Sequence, residues 1–190
     1  MKRKTCAILN DCIKFLVHSL NFSKFLSNVN PFIINLKTIK MEHKACIEAL
    51  NDLIKINNDR IEGYQRAINE LPDGENADLK SLFGSMIDES QGYKQELQNL
   101  VMEYGGETAD GTTASGKLYR AWMDVKALFT GGDEKTVLGN CEAGEDAAQR
   151  AYQMALDDDD IMQRTKDLIR TQKTSLKGSH DQIKAMRDAS

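Results

Sequence analysis

Residues 136–156 read TVLGNCEAGEDAAQRAYQMAL. The stretch has no proline, and Val137, Cys141, Gly144, Ala148, Ala151 and Ala155 recur at steps of three, four or seven. That spacing predicts one helix with a narrow inward track of small residues. Glu145 and Tyr152 fall on the edge of the track, a carboxylate seven residues before a tyrosine. A carboxylate so placed is what a helix lining a metal site in a bundle core presents. The stretch needs partner helices, and the surrounding sequence supplies them.

The chain has 190 residues, 41% hydrophobic and 28% charged, with only Pro31 and Pro72 to interrupt it. Alternating-valine strand patterns are absent and good helix formers abound, so the expected class is all-α. Upstream, Ile47, Leu50, Ile54, Asn57, Ile61, Tyr64, Ile68 and Leu71 predict a helix over 42–71, closed by Pro72-Asp73-Gly74. A second helix over 77–104 carries Leu79, Leu82, Phe83, Met86, Ser90, Tyr93, Leu97 and Leu100 inward and stops at Gly105-Gly106. Residues 107–113 form a polar loop. A shorter helix over 115–129, pinned by Trp122, then makes the connection a long crossover, and Asp133 caps the helix that opens at Thr136. Downstream, the acidic run Asp157–Asp160 caps a last helix over 161–187, with Ile161, Thr165, Leu168, Gln172, Leu176, Ser179, Ile183 and Met186 inward. A tight turn, a long crossover and a short link join four long helices in the order of a ferritin-like four-helix bundle, with a short extra helix in the crossover.

Apolar stripes interrupted at mid-height predict a polar layer. Asn57, Ser90, Glu145 and Gln172 are its expected members, with Tyr64 and Tyr152 beside them, because buried amides and carboxylates need hydrogen-bond partners. Glu89 flanks the second stripe, where either a solvated acid or a member of the layer fits, with the solvated reading favoured. His43 and His180 read as solvated or capping histidines near helix ends.

The average charge of −4 excludes a general nucleic-acid binder. It hides a split: residues 1–40 carry seven lysines and arginines against Asp11 alone, a net of +6, which leaves −10 for the remainder. That basic segment lacks the unbroken apolar run of a transmembrane span. A signal peptide is opposed by Asn10, Asp11 and Lys14, and a surface-lying amphipathic helix through Ile8, Cys12, Leu16 and Leu20 stays open. The favoured expectation is a segment upstream of a true start at Met41, poorly ordered or an appended helix. Cys6, Cys12, Cys46 and Cys141 form no CxxC pair and read as reduced, packed thiols of a cytoplasmic protein.

From Met41 onward the chain resembles DUF2383, a bacterial ferritin-like family without a settled activity. The resemblance rests on ALNDLIKINNDRIEGYQRA (49–67), SGKLYRAWMDVKALFTGGD (115–133) and CEAGEDAAQRAY (141–152), and it skips residues 1–40. It implies a ferritin-like bundle. Ferritin-like proteins at large hold two iron ions with a Glu from each of two helices and Glu-x-x-His from each of the other two. Here Asn57 stands where a Glu would precede Tyr64, Glu89 is followed by Gly92 rather than His, and Lys177 precedes His180. Only Glu145, Glu89 and His180 remain as metal-ligand candidates, too few hard anionic donors for a two-metal centre. The sequence therefore favours a non-catalytic bundle with a degenerate metal site, no catalytic residues and no resident cofactor. It would act by assembly or interaction, in a stress-related role, as a homodimer or with a protein partner. An iron-binding oxidase or iron-handling protein is the alternative.

Overall fold

The computed structural model describes residues 31–71, 76–112 and 133–190. The chain divides into two compact units, Met1–Met41 and Glu42–Ser190. The described residues form four helices and no strand: α1 (Pro31–Glu70), α2 (Ala77–Glu103), α3 (Glu134–Leu156) and α4 (Gln163–Ala189). The helix expected to begin at Glu42 begins at Pro31, where a proline suits the first turn because its missing N–H would have no intrahelical partner. The expected helix over 115–129, with Trp122, and the turn at Pro72-Asp73-Gly74 lie outside the described residues. No described helix is long and apolar enough to cross a membrane.

The helix ends follow local rules. Gly105 adopts φ +76°, its N–H reaches the Met102 carbonyl, and the Gly106 N–H reaches Val101 at 3.0 Å. These two bonds complete a Schellman cap, which requires the left-handed conformation glycine takes without strain. Gly106 has a second constraint. A Cβ there would sit 2.8 Å from Ile47 Cγ2, so Gly106→Ala is expected to cost about 1–3 kcal/mol through overpacking. A lowered denaturant midpoint at unchanged m-value would record it. At α3, Asp133 Oδ1 accepts from the Thr136 N–H at 2.8 Å, the cap expected from sequence. The acidic run does not cap α4. Met162 occupies the N-cap without a side-chain bond, and Asp158 instead turns back to the Asp160 N–H.

Contacts fix the directions of the helices. Asn57 meets Tyr152 and Arg60 meets Glu145, so α1 and α3 are antiparallel. Tyr104 meets Thr165 and Glu89 meets Ser179, so α2 and α4 are antiparallel too. Gln149 reaches the Lys173 carbonyl and Arg187 reaches Glu142 across the α3–α4 seam, again antiparallel. Hence α2 and α3 run the same way, and the chain between them leaves α2 at one end of the bundle and enters α3 at the other. Its first residues are tied down by α1: Asn51 bonds the Glu107 carbonyl and the Ala109 N–H, and Asn58 bonds the Gly111 carbonyl.

Two apolar clusters fill the interior. Leu50, Leu53, Ile54, Leu97, Ala148, Ala151, Ile169 and Leu176 belong to one, and Tyr64, Ala67, Phe83, Met86, Val137, Leu138 and Ile183 to the other. Alanines on α3 let that helix approach its neighbours closely. On α1 the buried line runs Leu53, Asn57, Arg60, Tyr64, Ala67, Leu71, in strict alternation of four and three. Ile61, expected inward, is only half-buried, and Arg60 holds the inward place. Between the two clusters lies the polar region of the bundle.

Candidate functional site

An arginine is the residue least expected in a helical core, because a buried guanidinium loses its hydration. Arg60 is nevertheless only 2% exposed. It stays there because polar side chains face it from two other helices. Its Nε and Nη2 donate to Glu145 Oε1 at 3.1 and 2.7 Å, Nη1 donates to Ser90 Oγ at 2.8 Å, and Nη2 also faces Glu89 Oε2 at 3.5 Å. Tyr64, one turn along α1, donates its hydroxyl to the same Glu145 Oε1 at 2.5 Å, and its ring lies beside the guanidinium. Ser90 passes its own proton to the Met86 carbonyl. Glu145 is 1% exposed, so this is a fully buried ion pair whose charge is balanced inside the bundle.

The protonation states follow from this geometry. Burial works against the charge on Arg60, but the Glu145 carboxylate, with Tyr64 and Glu89 adding to it, holds its proton more tightly than usual. Burial, and then the charge on Glu145, keeps Tyr64 protonated well above the ordinary phenol range. Cys141 is pushed up likewise, by burial and then by Glu145 and Glu70. A thiol held in that form is a poor nucleophile.

Glu89 joins the cluster from α2, the alternative to the solvated reading favoured from sequence. Burial raises its pKa, but hydrogen bonds from Tyr93 and Ser179, the charge of Arg60 and a bond from Ser175 outweigh burial and leave it below the usual carboxylate value of 4.5. A carboxyl depressed in the folded state contributes stability above its unfolded pKa and loses it as pH falls through the lower folded value. Glu89→Gln is therefore expected to flatten the acid limb of the stability curve below about pH 4.5. Thermal melts across that range check it, and an unchanged limb would exclude this assignment.

A second polar string crosses the bundle one turn away. Asn57 Nδ2 donates to the Leu53 carbonyl and to Tyr152 Oη, at 2.9 and 2.8 Å. Tyr152 donates to Gln172 Oε1 at 2.9 Å, and Gln172 Nε2 continues to Glu96 and to the Tyr93 carbonyl. Tyr93 links the two strings, since its hydroxyl serves Glu89.

The residues read from sequence as a polar layer fall into these two strings. Asn57, Ser90, Glu145, Gln172, Tyr152 and Tyr64 are all buried. Glu145 bonds Arg60 and Tyr64, while Tyr152 takes the two amides of Asn57 and Gln172. Glu145 and Tyr152 are fully buried rather than on an edge. Of the three metal-ligand candidates, Glu145 and Glu89 share one guanidinium. His180 stands apart, with Nε2 3.0 Å from Asp146 and Nδ1 3.1 Å from Asp181. Among the described residues no three His, Cys, Asp or Glu side chains converge to hold an ion.

A two-iron centre does not fit this donor set. A cation already lies between the two acids, Glu145 Oε1 is occupied by three donors, and the histidine is directed to other carboxylates. Sequence reasoning missed Arg60, which sits four residues before Tyr64 and three after Asn57 in an unbroken heptad-like line.

The family described as "Domain of unknown function (DUF2383)" matches residues 45–158, more than half of the chain, and the chain belongs to that family. The matched span contains Asn57, Arg60, Tyr64, Glu89, Ser90, Glu145 and Tyr152, whereas Gln172, Ser179 and His180 lie beyond it. A comparison with curated proteins gives no match.

Proposed function

We propose that this DUF2383 protein is a non-catalytic, ferritin-like bundle that acts through assembly or interaction, with an internal ion pair where ferritin-like proteins hold metal. The observation that carries the reading is Arg60, whose guanidinium supplies to Glu145 the positive charge that a metal ion would otherwise supply. The parallel directions of α2 and α3 support the ferritin-like topology, which has one long crossover. A second copy of the chain is the proposed partner. The surface between α3 and α4 is polar along its length, with Asp157 toward one end and Arg170, Lys173 and Lys177 along α4. A twofold axis across this surface would set Asp157 of one copy against basic residues of the other.

The alternative, an iron-binding oxidase or iron-handling protein using Glu89, Glu145 and His180, is decided by metal analysis of the full chain after expression in iron-rich medium. The expected result is bound iron or manganese far below one equivalent and unchanged by Glu145→Ala. Near-stoichiometric metal that falls in Glu145→Ala would overturn the proposal. Sedimentation at rising salt tests the partner: a dimer that dissociates with salt is expected, and a monomer at all concentrations contradicts it.

A further inference from the structure

Glu145 has two carboxylate oxygens, and the ion pair uses only one. Oε2 is buried and finds no hydrogen-bond partner among the described residues; the same holds for Asn140 Nδ2, five residues back along α3. Both residues are more than nine-tenths buried. Both line one cavity in the seam between α1 and α3, together with Tyr64, Cys141, Gly63 and Gly144. Its volume is about 20 Å³. That exceeds the roughly 10–15 Å³ one water requires.

From this we infer that the cavity is a binding site for a single water molecule, which donates to Glu145 Oε2 and accepts from the Asn140 amide. The chemistry selects water by elimination. A cation would sit beside the Arg60 guanidinium, which lines the same cavity, and an anion would face the Glu145 carboxylate. Water both donates and accepts, so it also serves the site if the Asn140 amide is turned the other way. Bound there, it completes the coordination of the buried acid: three donors on one oxygen from Arg60 and Tyr64, and one on the other from solvent. Asn140 is then a positioning residue that holds the water.

A high-resolution crystal structure of the full chain tests the site without any substitution. The expected result is one discrete, fully occupied oxygen peak within hydrogen-bonding distance of both Glu145 Oε2 and Asn140. Oxygen-17 relaxation dispersion in solution supplies the second arm: the wild-type protein should hold one more slowly exchanging water than Asn140→Leu, and Asn140→Ser should retain it. A direct bond between Asn140 and Glu145, a metal-like peak with short contacts to both, or an equal count of long-lived waters in wild type and Asn140→Leu would each overturn the assignment.

Discussion

Replacing Arg60 with methionine is expected to cost the protein about 3–5 kcal/mol, because methionine fills much the same space yet leaves the Glu145 carboxylate buried without its cation. The cost does not measure how much the intact pair stabilises the fold. Bringing both charges out of water is itself unfavourable by several kcal/mol, and their attraction, with the bonds from Tyr64 and Ser90, roughly offsets that loss. The effect of Arg60→Met is the penalty of the acid left behind. Tyr64 and Ser90 would keep their positions but could not replace the charge. In urea titrations the loss should show as a lower midpoint at an unchanged m-value. Arg60→Lys should recover only part of it, since an ammonium cannot address Glu145 Oε1 through two nitrogens while also meeting Ser90.

Tyr152→Ala is expected to cost a similar amount, about 3–5 kcal/mol, by a different route. Tyr152 is fully buried in the cluster formed by Leu50, Leu53, Ala148, Ala151 and Leu176, so truncation opens a cavity among side chains that cannot collapse into it. The hydroxyl adds its own share. It accepts from Asn57 and donates to Gln172, and Tyr152→Phe should lose about 1–3 kcal/mol by leaving the Gln172 oxygen and an Asn57 N–H short of a partner. The two variants together divide the residue's contribution into packing and hydrogen bonding. If Tyr152→Phe were neutral, the string from Asn57 to Glu96 would not order the bundle.

The fold was legible because its signals are local. The three-and-four spacing on each helix, the glycine pair after α2 and the aspartate before α3 all act within a few residues, and each reappears as a stripe, cap or turn. The polar layer was legible in part. Asn57, Ser90 and Gln172 stand on otherwise apolar stripes, and such residues are buried with partners or not at all. What those partners are is a long-range fact. Arg60 and Glu145 are 85 residues apart in the chain, and an arginine on an amphipathic helix ordinarily lies on the solvated face. Continuing the stripe from Asn57 to Ile61 rather than to Arg60 placed the arginine outside; only the register imposed by α2 and α3 turns it inward. Glu89 escaped for a related reason. Its burial is partial, and the donors that define it, Ser175 and Ser179, come from α4. His180 had the right residue type for a ligand, but rotation about α4 turns its ring to Asp146 on the outer side of α3.

The central claim is that Arg60 and Glu145 act as one unit in the core of the bundle. The most direct test is a double-mutant cycle on the full chain, with equilibrium unfolding of wild type, Arg60→Met, Glu145→Met and the combined variant. If the two residues form the pair described, the combined variant is less destabilised than Arg60→Met alone, and the coupling is about 2–3 kcal/mol. Additive losses, with coupling below about 0.5 kcal/mol, would contradict the claim.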